Sequence, residues 1–147
     1  MNTALSTLKN KFPGISEEAA TGCQIVPAQD IKEACLFLKE SLGFAHLMCL
    51  TSIDYKDNLA LVYNLYSYKA KEKAALKVFL DRNNPAVDSV AEIWRGADWH
   101  EREAFDMMGI NFLGHPDLRR ILLPDDWTGH PLRKDYAREG LEPMPHI

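Results

Sequence analysis

Two runs of period-two recurrence constrain this chain more than any other feature. Leu59, Leu61, Tyr63 and Leu65 recur with period two, and so do Ala74, Leu76, Val78 and Leu80, with Lys73 just before the second run and Lys77 within it. Successive side chains of a strand point to opposite faces, so each run reads as a strand with one buried face. An apolar stretch from Phe44 to Ile53 precedes the first run, and the polar segment Asp54-Tyr55-Lys56-Asp57-Asn58 joins the two. That pattern predicts a β-hairpin extended by a third strand, giving an antiparallel meander with one wet face. Asp81-Arg82-Asn83-Asn84-Pro85 closes it as a loop.

Helical spacing surrounds the meander. Leu5, Leu8 and Phe12 suit a short first helix that Pro13-Gly14 ends. Cys23 to Val26 reads as a short strand. Ile31, Ala34, Cys35 and Leu38 recur at i, i+3, i+4 and i+7, which predicts a helix from an Asp30 cap to about Leu42, with Gly43 at its C-terminal end. Asp88 is expected to cap a short helix through Ala91 to Trp94, and a further helix covers Asp98 to Met108 before Gly109. Helices on one face of a sheet of three or four antiparallel strands make a two-layer α+β sandwich. From Asn111 onward the character changes, because five of the eight prolines lie in the last 32 residues. The expected organisation is a core domain over 1–110 and an extended tail without regular structure over 111–147, with the segment from Gly114 onward largely mobile until a partner orders it.

Composition narrows the function classes. Apolar residues make up 46% and charged residues 26%, ordinary values for a soluble globular domain. A net charge of -4 gives no general attraction to nucleic acid or anionic lipid. No stretch reaches the roughly 20 apolar residues that span a bilayer, so any membrane association is expected to be indirect. The segment Met1 to Lys11 lacks the apolar core of a secretory signal, which points to the cytoplasm. Cys23, Cys35 and Cys49 form no C-x-x-C pair and read as buried small apolar residues rather than disulfide partners or cluster ligands.

The densest polar signal is Trp99-His100-Glu101-Arg102-Glu103-Ala104-Phe105-Asp106. Wound as a helix, it places His100, Glu101, Ala104, Phe105, Met107 and Met108 on one half and Arg102, Glu103 and Asp106 on the other. Glu101 on the apolar half needs a partner, because an unpaired buried charge is costly. A catalytic reading makes His100 and Glu103 a metal pair, or Glu101 and Asp106 an acid/base couple. Both require ligands from elsewhere, and His46, His115, His130 and His146 occur singly. The plainer reading is an ion-paired helix with Arg102 and Asp106 at i, i+4. Nucleotide-binding glycine loops and serine or cysteine nucleophile motifs are absent.

A second cluster comprises His115, Asp117, Arg119 and Arg120, then Trp127, then His130, Arg133, Lys134, Asp135 and Tyr136. Arginine and tryptophan are interface residues and proline lowers the entropy lost on docking, so the cluster suits a partner surface. The alternative is a tail wrapped over its own sheet. Glu101 is expected to bond Arg119, Arg120 or Arg133, the nearest fixed cations.

Trp99 to Ile110, then Gly114-His115-Pro116-Asp117-Leu118-Arg119-Arg120-Ile121-Leu122, then Gly129-His130-Pro131-Leu132-Arg133-Lys134-Asp135-Tyr136, closely resemble the 30 kDa subunit family of respiratory complex I, whose members are also known as the C or J subunit. The match is dense from about Val90 to Tyr136. This resemblance implies a non-catalytic subunit of the peripheral arm of a proton-translocating NADH:quinone oxidoreductase, on the cytoplasmic side of the membrane. It also implies docking on the quinone-site subunit, which is related to the large subunit of nickel–iron hydrogenases, beside the iron–sulfur subunits, with no cofactor of its own. Relatives also occur in F420H2 dehydrogenases, energy-converting hydrogenases and formate hydrogenlyases. Three readings therefore stand: the respiratory assembly subunit, its counterpart in a hydrogen-evolving complex, and a stand-alone metal enzyme using His100, Glu101 and Glu103.

Overall fold

The computed structural model describes residues 3–137, and the end of the expected tail, His146 included, lies outside the described residues. Helix α1 (Thr3–Lys11) is followed by two very short strands, β1 (Ser16–Glu17) and β2 (Gln24–Ile25), and by helix α2 (Ile31–Glu40). The meander is present as β3 (His46–Asp54), β4 (Asn58–Ser67) and β5 (Glu72–Asp81). Strand β6 (Ala86–Asp88), helix α3 (Ala97–Met108) and strand β7 (Asn111–Leu113) complete the fold.

The main sheet runs β1-β2-β5-β4-β3, antiparallel except where β2 lies parallel to β5. It therefore has five strands and is mixed, where three or four antiparallel strands were expected. The predicted alternation sets its inner face: Leu59, Leu61, Tyr63, Leu65, Leu76 and Val78 are fully buried. Ile31, Ala34, Cys35 and Leu38 of α2 are equally buried and belong to the same core. Cys23 is also buried, whereas Cys49 is half-buried on β3. Helix α3 runs against β3 and carries Ala97, Ala104, Met107 and Met108 into the core.

Three local expectations are corrected. The side chain of Asp30 makes no capping bond, and a 3-10 turn over Ala28–Asp30 leads into α2 instead. The segment from Asp88 to Trp94 is not a helix. Its amides are taken by side chains, Val90 N–H by the Glu101 carboxylate and Ala91 N–H by Ser89 Oγ, so only a single turn closes on the Val90 carbonyl. Finally, Asn111–Leu113, expected to begin the irregular tail, forms β7 and pairs in parallel with β6. Gly109 sits between α3 and β7 at φ 73, and its N–H closes on the Phe105 carbonyl, the left-handed helix end expected there.

Candidate functional site

A helix leaves its last four carbonyls without partners of its own. In α3 these are Phe105, Asp106, Met107 and Met108. Gly109 N–H caps the first at 2.9 Å, and the chain beyond residue 114 returns to satisfy the other three. Arg120 Nη1 and His130 Nδ1 donate to the Asp106 carbonyl at 3.2 and 2.9 Å. Leu132 N–H reaches the Met107 carbonyl at 3.1 Å, and Arg133 Nη1 reaches that of Met108 at 3.4 Å. Because a carbonyl only accepts, His130 carries its proton on Nδ1. Two guanidinium groups thus sit at the negative end of the α3 dipole, where cations are favoured.

The side chain of Asp106 fastens the same segment. Fully buried, it accepts the N–H groups of Ile121, Leu122 and Leu123 at 3.1, 2.7 and 3.0 Å, and Arg120 Nη1 at 2.7 Å. Arg120 Nη2 continues to the carbonyls of Trp127 and Gly129, both at 3.0 Å. Burial pushes the Asp106 carboxyl upward, but Arg120 and the three amides outweigh it and hold the group below its ordinary value. A second buried carboxylate, Asp54 at the end of β3, grips the tail further on. It pairs with Arg82, accepts Lys134 N–H at 2.8 Å, and is held well below the usual carboxylate range chiefly by Arg82. Arg82 also meets Asp135, and Arg133 bonds both Asp135 and the Arg82 carbonyl.

Glu101 is fully buried as its helical position predicts, but its partner is not an arginine. Ser89 Oγ donates to it at 2.5 Å and Val90 N–H at 2.7 Å. Burial pushes its carboxyl above the ordinary value, against these bonds and the nearby His115. The imidazole of His115, itself fully buried, accepts Asp117 N–H on Nδ1 and so turns a protonated Nε2 toward Asp98 and, at 3.8 Å, Glu101. The arginines go elsewhere: Arg120 to Asp106, Arg133 to Asp135, and the exposed Arg119 to Asp117. Nor do Arg102 and Asp106 pair. Arg102 donates to the carbonyls of Arg119 and Arg120 and lies over the Trp99 ring.

The half of α3 opposite its apolar residues is therefore partly covered by the tail. Asp106 lies under it while Glu103 stays exposed. Glu103 and His100 line a small cleft against Leu50, Thr51, Ser52 and Leu132, and Glu101 turns away from them toward the 89–90 turn. The three residues of the metal-enzyme reading do not converge. No group of three or more His, Cys, Asp or Glu is gathered to hold a metal ion among the described residues. Trp127 is half-buried, Lys134 enters through its backbone, and the Tyr136 ring lies against Gly129, where an added Cβ would come within 2.9 Å. Asp54, Arg82, Ser89 and Asp98 escape a reading of the sequence. Asp54 and Arg82 sit in segments that already make sense as turns, 28 positions apart and remote from Lys134.

These observations define a small α+β domain whose C-terminal strap is fastened by two buried acid–arginine pairs. Residues 24–142 match the family model of the respiratory-chain NADH dehydrogenase 30 kDa subunit. The C subunit of NADH-quinone oxidoreductase from Geotalea uraniireducens is 41% identical over 99% of this chain and 93% of its own length. The solved trypsin-resistant fragment of Nqo5 superposes with a TM-score of 0.65 at 29% identity, covering 78% of this chain and 96% of that one. A chain of an archaeal membrane-bound sulfane sulfur reductase shares the fold, with a TM-score of 0.77 at 24% identity over 90% of this chain and 83% of that one. The chain belongs to the respiratory-chain NADH dehydrogenase 30 kDa subunit family. No helix among the described residues is long and apolar enough to cross a membrane.

Proposed function

We propose that the chain is a cofactor-free structural subunit of the peripheral arm of a complex I-like NADH:quinone oxidoreductase, docked on the quinone-site subunit beside the iron–sulfur subunits. The observation that carries this reading is where the motif residues lie. Asp106, Arg120, His130 and Arg133 are engaged in fixing the strap to α3, so the charges of these motif segments hold one surface in one shape. A prefixed surface loses little conformational entropy on association, which suits a scaffold within an assembly. Family membership and the 41% identity to the Geotalea protein over nearly the whole chain support the same reading.

The test is isolation of the native assembly through a tag on this chain, with subunit identification by mass spectrometry and metal analysis of the chain alone. The expected result is co-isolation with a hydrogenase-large-subunit-like quinone-site protein and iron–sulfur subunits, and no stoichiometric metal in the separated chain. Isolation with hydrogenase subunits instead would transfer the role to the hydrogen-evolving counterpart. A chain that isolates alone with about one tightly held metal ion would overturn it.

A further inference from the structure

Several charged groups around α3 answer one another inside the chain, whereas Arg102 pairs with no carboxylate among the described residues. Its Nε and Nη2 donate at 3.2 and 3.3 Å to the carbonyls of Arg119 and Arg120. Both acceptors are neutral, and no carboxylate lies within ion-pair distance of Arg102 among the described residues. A guanidinium has five N–H donors, so three remain without a hydrogen-bond acceptor among the described residues. The neighbouring acids are directed elsewhere. Glu103 lines the cleft with His100, Asp98 meets His115, and Asp117 pairs with Arg119.

The guanidinium carbon lies 5.4 Å from the centre of the Trp99 ring, and that indole is 61% exposed. One turn along α3, the segment bonded to Asp106 presents Leu122, 63% exposed. An exposed indole beside a positioned arginine that has no carboxylate partner combines residue types that dominate binding energy in interfaces, and the solvent-open Leu122 adds apolar surface in the segment bonded one turn along α3. The two carbonyl bonds fix Arg102 before any partner arrives, which lowers the entropy lost when it is used.

We infer that Trp99, Arg102 and Leu122 form a docking surface for an acidic segment of a companion subunit, its carboxylate taking the free guanidinium donors and its apolar neighbours covering the indole and Leu122. The inference rests on the assembly role proposed above. It commits to a protein carboxylate because the surface offers a fork of fixed positive donors with an apolar border, which matches a carboxylate bidentately. A second copy of this chain would bring a like-charged Arg102 to the same surface.

The experiment places a photo-cross-linking phenylalanine derivative at position 99 of the full chain in the native complex, with position 48 on β3 as an exposed control. Full-chain variants are also titrated onto complex lacking this subunit. The expected result is a position-99 adduct with a companion-subunit peptide containing Asp or Glu. Trp99→Ala and Arg102→Gln should each weaken association by about 30-fold, with Arg102→Lys intermediate. Thermal midpoints near that of the parent chain would show that the variants fold. An intact complex whose position-99 adducts form only within the chain, with a second copy or with lipid, overturns this inference and leaves the assembly role standing. Association unchanged in both Trp99→Ala and Arg102→Gln does the same. A chain that brings down no companion subunit overturns the assembly role, and this inference with it.

Discussion

Glu101 and Asp106 are five residues apart on one helix and both fully excluded from solvent, yet their carboxyls shift in opposite directions. Glu101 faces a hydroxyl and one backbone amide, and burial drives its carboxyl toward the neutral form. Asp106 faces a guanidinium and three amides and is held as the anion. Depth does not decide the charge of a buried acid; the number and charge of its donors do. The division follows the two sides of α3. One side rests on the domain's own turn at 89–90, and the other receives a segment from farther along the chain.

If that contrast is right, the largest loss comes from Asp106→Ala. It deletes the acceptor of four donors and leaves Arg120 without its anion, and breaking a buried pair from one side costs about 3–5 kcal/mol. That is a large part of a small domain's stability. Urea unfolding should show the midpoint fall, and hydrogen exchange should quicken at Ile121, Leu122 and Leu123 before the sheet is affected. A strap that keeps its protection in Asp106→Ala would mean that the carboxylate does not fasten it.

Legibility in the sequence divides along the same line. Local signals suffice for the meander, for the buried face of α2, for the α3 boundaries and for the burial of Glu101, because each depends on periodicity or on a cap within a few residues. What escapes depends on contacts across long separations. Asp106 reads as the ion-pair partner of Arg102 because a helical wheel carries no record of a strap arriving from residues 120–133. Glu101 is matched to an arginine when charge is the only criterion, while Ser89 gives no sign in sequence that its hydroxyl will turn inward. Asp54 joins Arg82 and Lys134 across 28 and 80 positions, and no local pattern announces such a clamp.

A smaller loss is expected at Gly109. Its φ of 73 is unfavourable for a side chain, and an added Cβ would stand 2.6 Å from His130 Cδ2. Gly109→Ala should therefore cost about 2–3 kcal/mol from the left-handed backbone and the displaced imidazole together. His130→Ala in the same chain removes the obstacle, so the double variant should lose less than the sum of the two single variants. Strict additivity would show that the ring does not bear on the helix end.

Acidity separates the two carboxylates by sign, each displaced pKa unit being worth about 1.4 kcal/mol. The Asp106 value is depressed on folding. Its stabilisation is therefore present above the unfolded value of 3.8 and is lost as pH falls through the folded value. The Glu101 value is raised. Its favourable contribution is present below the unfolded value of 4.5 and is lost as pH rises through the folded one. Unfolding free energies of Asp106→Asn and Glu101→Gln, each subtracted from the parent chain across pH 2–8, should slope in opposite directions. Parallel slopes would show that the two sites share one kind of environment.

The smallest expected effect is that of Glu101→Gln at neutral pH. An amide keeps an oxygen for Val90 N–H, and the Ser89 hydroxyl can rotate to accept from the new NH2 group, so no buried charge is stranded. Because burial already weighs against the charged carboxyl, this neutral isostere should be tolerated with a loss of about 1 kcal/mol or less. Glu103→Gln, on exposed surface of the same helix, provides the baseline and should stay within about 0.5 kcal/mol of the parent. Thermal unfolding of the three chains side by side gives the ranking. A loss at Glu101→Gln as large as that at Asp106→Ala would mean that Glu101 is held as an anion by a cation after all. The two sides of α3 would then be built on one principle instead of two.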